Sequence, residues 1–361
     1  MVYINNNNNN NNNMDIDMDK NNMTICITGG AGYLGSLITA KLLQIGYNVR
    51  VLDKLFYGDT GIITFANNPN FELIRGDLTD IHILQRVIKD AYAVIHLAAL
   101  VGDPVCYLMP DVTIAINYLS TELLARCCKY YGVKRFVFAS TCSVYGAGDD
   151  IFTEESMLNP VSLYAESKIQ AEKSLLELAD ENFCPTILRK GTIFGLSPRM
   201  RFDLVVNLLA AKAIVEKQIP IYGGNQWRPF LHVSDAADAY IKCIEAPLDI
   251  VNRQIFNVGD NTQNFQLADV GKCVKKYVPN AQLLVHDSDI DMRNYRVDFS
   301  KIKNILGYSA KLTISDGIHE IIEAFKQHKI SDYRDKKYHN YLSDHKEYYE
   351  NILMYDSKDK F

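Results

Sequence analysis

A glycine-rich turn near the start of the chain constrains the fold more than any other feature. Thr24-Ile25-Cys26-Ile27-Thr28 is apolar and β-branched without alternation, as a strand covered on both faces is. Thr28-Gly29-Gly30-Ala31-Gly32-Tyr33-Leu34-Gly35 follows, and Leu34, Leu37, Ile38, Leu42 and Leu43 then recur at helical spacing until Gly46. Glycines at 29, 32 and 35 in a strand–turn–helix setting match a dinucleotide-binding turn. Gly29 permits the tight turn, Gly32 lets a diphosphate approach the backbone, and Gly35 lets helix pack on strand. The helix opens with Tyr33 and Leu34, whose free N–H groups and partial positive charge face the phosphates. Asp53 ends the next strand, 18 residues after Gly35. A carboxylate there accepts from a ribose 2′-OH and repels a 2′-phosphate, which favours NAD over NADP. The competing role is an aspartate that caps its own loop.

The rest of the chain alternates in kind. Strands are predicted at 48–52, 71–74, 93–97, 135–139 and 185–188, and helices at 81–89, 114–131 and 163–180. Such alternation implies parallel βαβ units, hence an α/β, Rossmann-type doubly wound parallel sheet. After Arg189 the pattern loosens. Segments 191–231 and 263–330 carry more loops, while 234–245 reads as a helix and 252–258 as one more sheet strand. This predicts a sheet domain from 23–190 plus 232–262, and a smaller, discontinuous C-terminal lobe from 191–231 plus 263–330. Residues 1–22 hold nine consecutive asparagines, Asn5 to Asn13, and are expected to be a disordered tail. Residues 331–361, with six tyrosines among mixed charges, read equally as a helical extension or a frayed tail.

Composition narrows the partners. With 48% hydrophobic and 22% charged residues the chain is neither fibrous nor wholly disordered. A net charge of -5 offers no global positive field for nucleic acid, so an anionic ligand needs local cations. No apolar run approaches the ~18 residues that cross a membrane, and no signal peptide is recognisable. Eight scattered cysteines without a Cys-x-x-Cys pair suggest reduced thiols in a cytoplasmic protein, with no metal site.

Several residues are placed for chemistry. Asp77-Leu78 follows the third strand, where the acid either meets an adenine edge or caps the helix beginning near Asp80. Leu97-Ala98-Ala99 ends the fourth strand, where small residues either let a cofactor lie across the strand ends or pack the core. Tyr164 and Lys168 stand four apart on one helical face, so an ammonium can lower the phenol pKa from about 10 toward working pH. Alone, that spacing is common on solvated helices. Thr141, in the hydroxyl cluster Ser140-Thr141-Cys142-Ser143, can bind the same substrate oxygen.

Taken in order, Thr28–Gly35, Asp77-Leu78, His96-Leu-Ala-Ala99, Ser140–Gly146 and Tyr164-x-x-x-Lys168 resemble the extended short-chain dehydrogenase/reductases, the NAD-dependent nucleotide-sugar epimerase/dehydratase family. The likeness runs to Leu306-Gly307-Tyr308 and covers nearly all of 23–330. It implies NAD as cofactor, a nucleotide-diphosphate sugar as substrate, and Thr141, Tyr164 and Lys168 as the catalytic set. Tyr164 then moves the sugar hydroxyl proton, Lys168 also holds the nicotinamide ribose, and Asn117 contacts the cofactor. In the segment Gly223 to Asp235 the resemblance makes Arg228 a diphosphate ligand, with Arg293 the second; each alternatively forms a surface salt bridge. His232 is expected to be structural. Thr192 stands where many members have a substrate-contacting Asn. Arg199 and Arg201 either add charge near the sugar diphosphate or fix their loop through Asp203. The family commonly dimerises through two helices per subunit, here 114–131 and 163–180.

The reaction turns on positions 142 and 143. In the family, 4,6-dehydratases follow the catalytic Thr with Asp-Glu, and decarboxylases keep the glutamate. Cys142 and Ser143 supply neither acid, which disfavours both reactions. Beside the substrate, Cys142 is either an acid/base or a packed thiol. Epimerisation at C4 through transient oxidation leads, with NAD(P)H-dependent reduction of a 4-keto sugar as the alternative. A non-catalytic NAD-binding protein is the third reading, and the retained Thr141, Tyr164 and Lys168 argue against it.

Overall fold

The computed structural model describes residues 20–287, 291 and 293–340. The asparagine run and most of the tyrosine-rich extension, and with them the disorder expected of the first and the extension's full form, lie outside the described residues.

Seven parallel strands form the main sheet: β1 (Thr24–Thr28), β2 (Asn48–Asp53), β3 (Phe71–Arg75), β4 (Ala93–His96), β5 (Arg135–Thr141), β6 (Cys184–Lys190) and β7 (Ile255–Val258). Their order is β7-β6-β5-β4-β1-β2-β3, so the winding reverses between β1 and β4. Open α/β sheets bind ligands at that reversal, outside the carboxyl ends of the strands. The strands carry continuous apolar runs because helices cover both faces. Ile25 and Ile27 enter one core with Ile38, Leu42, Val51 and Tyr240, while the intervening Cys26 enters the other with Leu84, Val94, Leu124 and Phe138. Each fully buried aliphatic or aromatic side chain of this kind contributes about 1.5–3 kcal/mol.

Helices α1 (Tyr33–Gln44), α2 (Ile81–Ile88), α3 (Ser120–Tyr130) and α4 (Leu163–Leu178) connect these strands. The single helix expected over 114–131 is present inside a longer continuous helical run over 110–130, with a π turn within it. Short helices run Asp103–Leu108 and Pro110–Ile114, a π turn spans Ala115–Leu119, and α3 follows. Pro110 has no N–H to continue a helix and so begins a new one. Ser120 and Thr121 then donate their hydroxyls back to the carbonyls of Ile116 and Asn117, at 2.7 and 2.9 Å, which widens the next turn.

A second group of strands stands beyond the main sheet. Trp227–His232 pairs in parallel with Thr192–Phe194 and antiparallel with Asn264–Gln266, and Gln218–Tyr222 pairs in parallel with Gln282–His286. Phe194, Val206, Ile219, Phe230, Val270 and Ile318 form a separate core beneath them. Two of the features without a sequence forecast bear on the site. Ala147–Phe152 pairs in parallel with Asn294–Val297. Residues 331–340 pack against Phe202, whose N–H donates to the Tyr338 carbonyl at 2.9 Å.

Candidate active site

The strand ends open onto one cavity of about 590 Å³. At its cofactor end the glycine turn is built as its spacing implies. Gly29 has φ +73°, and a Cβ on it would lie 2.8 Å from the Ala98 nitrogen. A Cβ on Gly35 would lie 2.7 Å from the Gly30 Cα. The Gly32 N-cap brings no side-chain acceptor, so the first N–H groups of α1 remain available to a diphosphate. Asp53 accepts from the backbone N–H of Ala31 at 3.0 Å and of Leu55 at 2.8 Å. Burial pushes its carboxyl up against those two bonds. A closely packed turn, uncapped donors and a carboxylate after β2 together fit a dinucleotide.

Asp77 lines the cavity, accepts from Lys54 at 2.8 Å and holds Thr79. Helix α2 is capped by Asp80, which accepts from His82 and Ile83, so the capping alternative for Asp77 is set aside. Leu78, Leu97, Ala98 and Ala99 also line the cavity, together with Gly29, Gly32, Tyr33, Leu34, Gly35 and Asp53. Asn117 does not. It is fully buried behind the wall, where its Oδ1 accepts from the Leu100 N–H at 2.8 Å and its Nδ2 donates to the Leu100 carbonyl at 3.0 Å. Within the π turn it holds the Leu100 backbone and so positions the loop after β4.

Thr141, Ser143, Tyr164, Lys168 and Thr192 meet at the other end of the same cavity. Ser162 caps α4 and fixes the start of the helix bearing Tyr164 and Lys168. The Lys168 Nζ lies 5.9 Å from the centre of the Tyr164 ring and 4.7 Å from that of Phe138. Burial, and then Lys190, bring Lys168 down to about 7. Burial pushes the Tyr164 hydroxyl above its ordinary range, the reverse of the lowering expected from Lys168. Dehydration of the phenolate outweighs the attraction of the Arg201 guanidinium. Cys142 is turned away from the cavity. Its thiol donates to the Arg189 carbonyl at 3.2 Å and is raised by burial, which leaves it a packed thiol. All eight cysteines are free.

The cations gather in two places. Arg228 reaches Asp291 at 3.0 Å, and Arg293 grips Asp291 through Nε at 2.9 Å and Asp103 through Nη1 at 3.1 Å. Burial lifts the Asp291 carboxyl, but the two arginines outweigh it and hold the group well below the usual carboxylate range. Arg201 is held by Asp203 in a fork of 2.9 and 2.6 Å. Arg199 has a different setting, bonded to Asn340. His232 pairs with Glu320 at 2.9 Å and accepts from the Ser234 N–H, which is structural work.

Sequence reasoning missed Lys190. It lines the cavity beside Thr141, donates to the Ser140 carbonyl at 2.6 Å, and is lowered by burial to about 8. Its place at the carboxyl end of a sheet strand was the available signal. Asp103, Asp291 and Tyr295 were also missed, because they reach the cavity from distant parts of the chain.

A doubly wound sheet with this turn, and with Thr, Tyr and Lys facing one crevice, defines a dinucleotide-dependent enzyme of the short-chain dehydrogenase/reductase type. The family model described as the NAD dependent epimerase/dehydratase family matches residues 25–259, and the chain belongs to that family. It is 30% identical over 324 residues to UDP-glucuronic acid decarboxylase 4 of Arabidopsis thaliana, covering 86% of this chain and 70% of that one. It is 28% identical over 318 residues to UDP-glucose 4-epimerase of Bacillus subtilis, covering 80% and 93%. Among solved structures it resembles MoeE5 in complex with UDP-glucuronic acid and NAD, with TM-score 0.74, 26% identity and 84% and 99% coverage.

Proposed function

We propose that the enzyme epimerises a nucleotide sugar, with UDP-sugars the first candidates, by transient oxidation at C4. The observation that carries this reading is the convergence of Thr141, Tyr164 and Lys168 on one cavity whose nearby carboxyls are already engaged. Asp103 and Asp291 are paired with arginines, as is Asp203. Elimination of water across C5 and C6 needs an additional acid and base, and positions 142 and 143 hold a buried thiol and a hydroxyl. The Ser143 hydroxyl instead lies 3.1 Å from Thr141 and 3.3 Å from the Tyr295 hydroxyl, a neutral network suited to holding sugar oxygens.

Bound NAD supplies a nicotinamide that accepts a hydride and returns it. Tyr164 removes the proton from the C4 hydroxyl and restores it to the C4 oxygen after the keto sugar has turned over. Thr141 hydrogen-bonds the same oxygen. Lys168, in its charged form, stabilises the Tyr164 phenolate and holds ribose hydroxyls. Arg228 and Arg293, still paired with their carboxylates, present their remaining N–H groups and positive charge to the substrate diphosphate, with Thr192 and Arg201 alongside. Relatives named for UDP-glucose and UDP-glucuronic acid support the choice of nucleotide.

The test is turnover without added cofactor. Purified enzyme incubated with UDP-glucose or UDP-glucuronic acid should yield the C4 epimer, resolved by NMR, with no net NADH. Strict dependence on added NADH or NADPH would favour a reductase and sink the reading. We also read the enzyme as a cytoplasmic homodimer joined through α3 and α4, next to which Leu119, Tyr130 and Met157 leave large apolar surface exposed. Light scattering at the mass of one chain would contradict it.

A further inference from the structure

Residues 331–340 pack closely against the body of the protein. The rings of Tyr333 and Tyr338 meet Phe202 with centroids 5.9 and 5.5 Å apart, and the His339 ring bonds the Tyr333 carbonyl at 2.8 Å. Asn340 then reaches the cavity. Its Oδ1 accepts from Arg199 Nη1 at 2.8 Å, and its carbonyl accepts from the Tyr57 hydroxyl at 3.3 Å. The Arg199 guanidinium lies over the Tyr57 ring at 4.5 Å. Arg199, Tyr57 and Asn340 therefore join three distant stretches of chain at one wall.

Arg199 is 2% exposed, yet its Nε and Nη2 are buried without a hydrogen-bond partner. Leaving such donors dry is costly, and a fork of N–H groups suits the oxygens of an anion or a diol. The wall lies at the cofactor end. Asp53 is among the charges acting on Arg199, and Gly61 is wedged between Arg199 and the glycine turn. A Cβ on Gly61 would lie 2.8 Å from the Ala31 carbonyl and 2.9 Å from the Arg199 Cβ. Arg199 thus stands beside the glycine turn, apart from the Arg228 and Arg293 pair.

We propose that Arg199 binds the adenosine half of NAD through its two unpartnered N–H groups, and that residues 331–340 form a strap that holds Arg199 there and closes the cofactor in. The strap slows release of the cofactor, and this consequence rests on the epimerase reading, in which one molecule of NAD serves many turnovers.

Two measurements on the full chain test it. In the first, NAD-loaded protein is chased with excess unlabelled NAD, and release of label is timed for wild type, Asn340→Ala and Tyr338→Ala. Loss of one hydrogen bond to a charged group predicts release on the order of tenfold faster in Asn340→Ala. Tyr338→Ala should behave likewise by undocking the strap. In the second, calorimetry compares ADP-ribose with nicotinamide mononucleotide. Arg199→Met should weaken ADP-ribose by on the order of tenfold and leave the mononucleotide unchanged. Release in folded Asn340→Ala within twofold of wild type overturns the strap, and unchanged ADP-ribose affinity overturns the role of Arg199. Asn340→Ala removes only a few atoms and leaves the aromatic packing of the strap intact, so it keeps the test open if Tyr338→Ala does not fold. If wild type retains NAD behind the strap yet turns over only with added NADH, the epimerase reading fails and the strap stands.

Discussion

Replacing Glu172 by glutamine should strand a buried guanidinium. Glu172 lies one turn beyond Lys168 on α4, and Arg189 immediately precedes Lys190 on β6, so their ion pair pins the catalytic helix to the sheet. The two side chains are 3% exposed each and meet at 2.6 Å, with two further contacts from Arg189 Nε at 3.1 and 3.2 Å. Glu172 also accepts from the Ser140 hydroxyl, and Arg189 donates to the Tyr145 oxygen at 3.1 Å. Glutamine keeps the shape and one acceptor oxygen, so no cavity opens and the loss is electrostatic. Removing one partner of a buried pair costs about 3–5 kcal/mol. At about 2 °C per kcal/mol for a chain of this size, the melting temperature should fall by roughly 6–10 °C, followed by circular dichroism at pH 7. The double change Glu172→Leu with Arg189→Met should recover most of that loss, because apolar replacement of a buried pair is often neutral or better. A single-variant cost below about 1 kcal/mol, or a double variant no more stable than the single one, would refute the reasoning.

Three further outcomes are expected. Tyr164→Phe should lower turnover by about 10²–10⁴-fold while NAD, titrated by fluorescence, binds as before; unchanged turnover removes Tyr164 as the acid/base. Because Lys168 titrates at about 7, held down by burial and then by Lys190, kcat/KM should fall as pH rises through that value and the ammonium is lost. Lys190→Met should move that limb to higher pH, and a limb that stays put contradicts the coupling. The same depression means that the unfolded chain binds the Lys168 proton more tightly between about 7 and 10.5, so this group makes stability rise with pH across that window. Gly35→Ala should abolish NAD binding, since the new Cβ would crowd the Gly30 backbone, which cannot rotate aside; an alanine variant purified with its NAD would show that the turn has slack.

The sequence by itself determined the features that local chemistry dictates. Continuous apolar runs predict buried strands because both sheet faces are covered, and the 29, 32 and 35 glycines predict a phosphate turn because only glycine fits where backbones nearly touch. Tyr164 and Lys168 share a face by helical geometry alone. Ser162 caps their helix by the ordinary preference of a serine for that position. Tertiary structure decided what depends on partners far along the chain. The placement of Asn117 depends on the Leu100 backbone and on back-bonding hydroxyls that widen one helical turn. The strand over 147–152 has little apolar alternation and forms because Asn294–Val297 lies alongside it. Burial set the protonation of Lys168 and Lys190, and burial is a property of the packed molecule. The pairing of Arg228 with Asp291 and of Arg293 with Asp103, and the strap that brings Asn340 to Arg199, arise across separations of 63 to 190 residues with no periodic pattern to announce them. Local preferences are written residue by residue, whereas long-range juxtaposition exists only once the chain has folded.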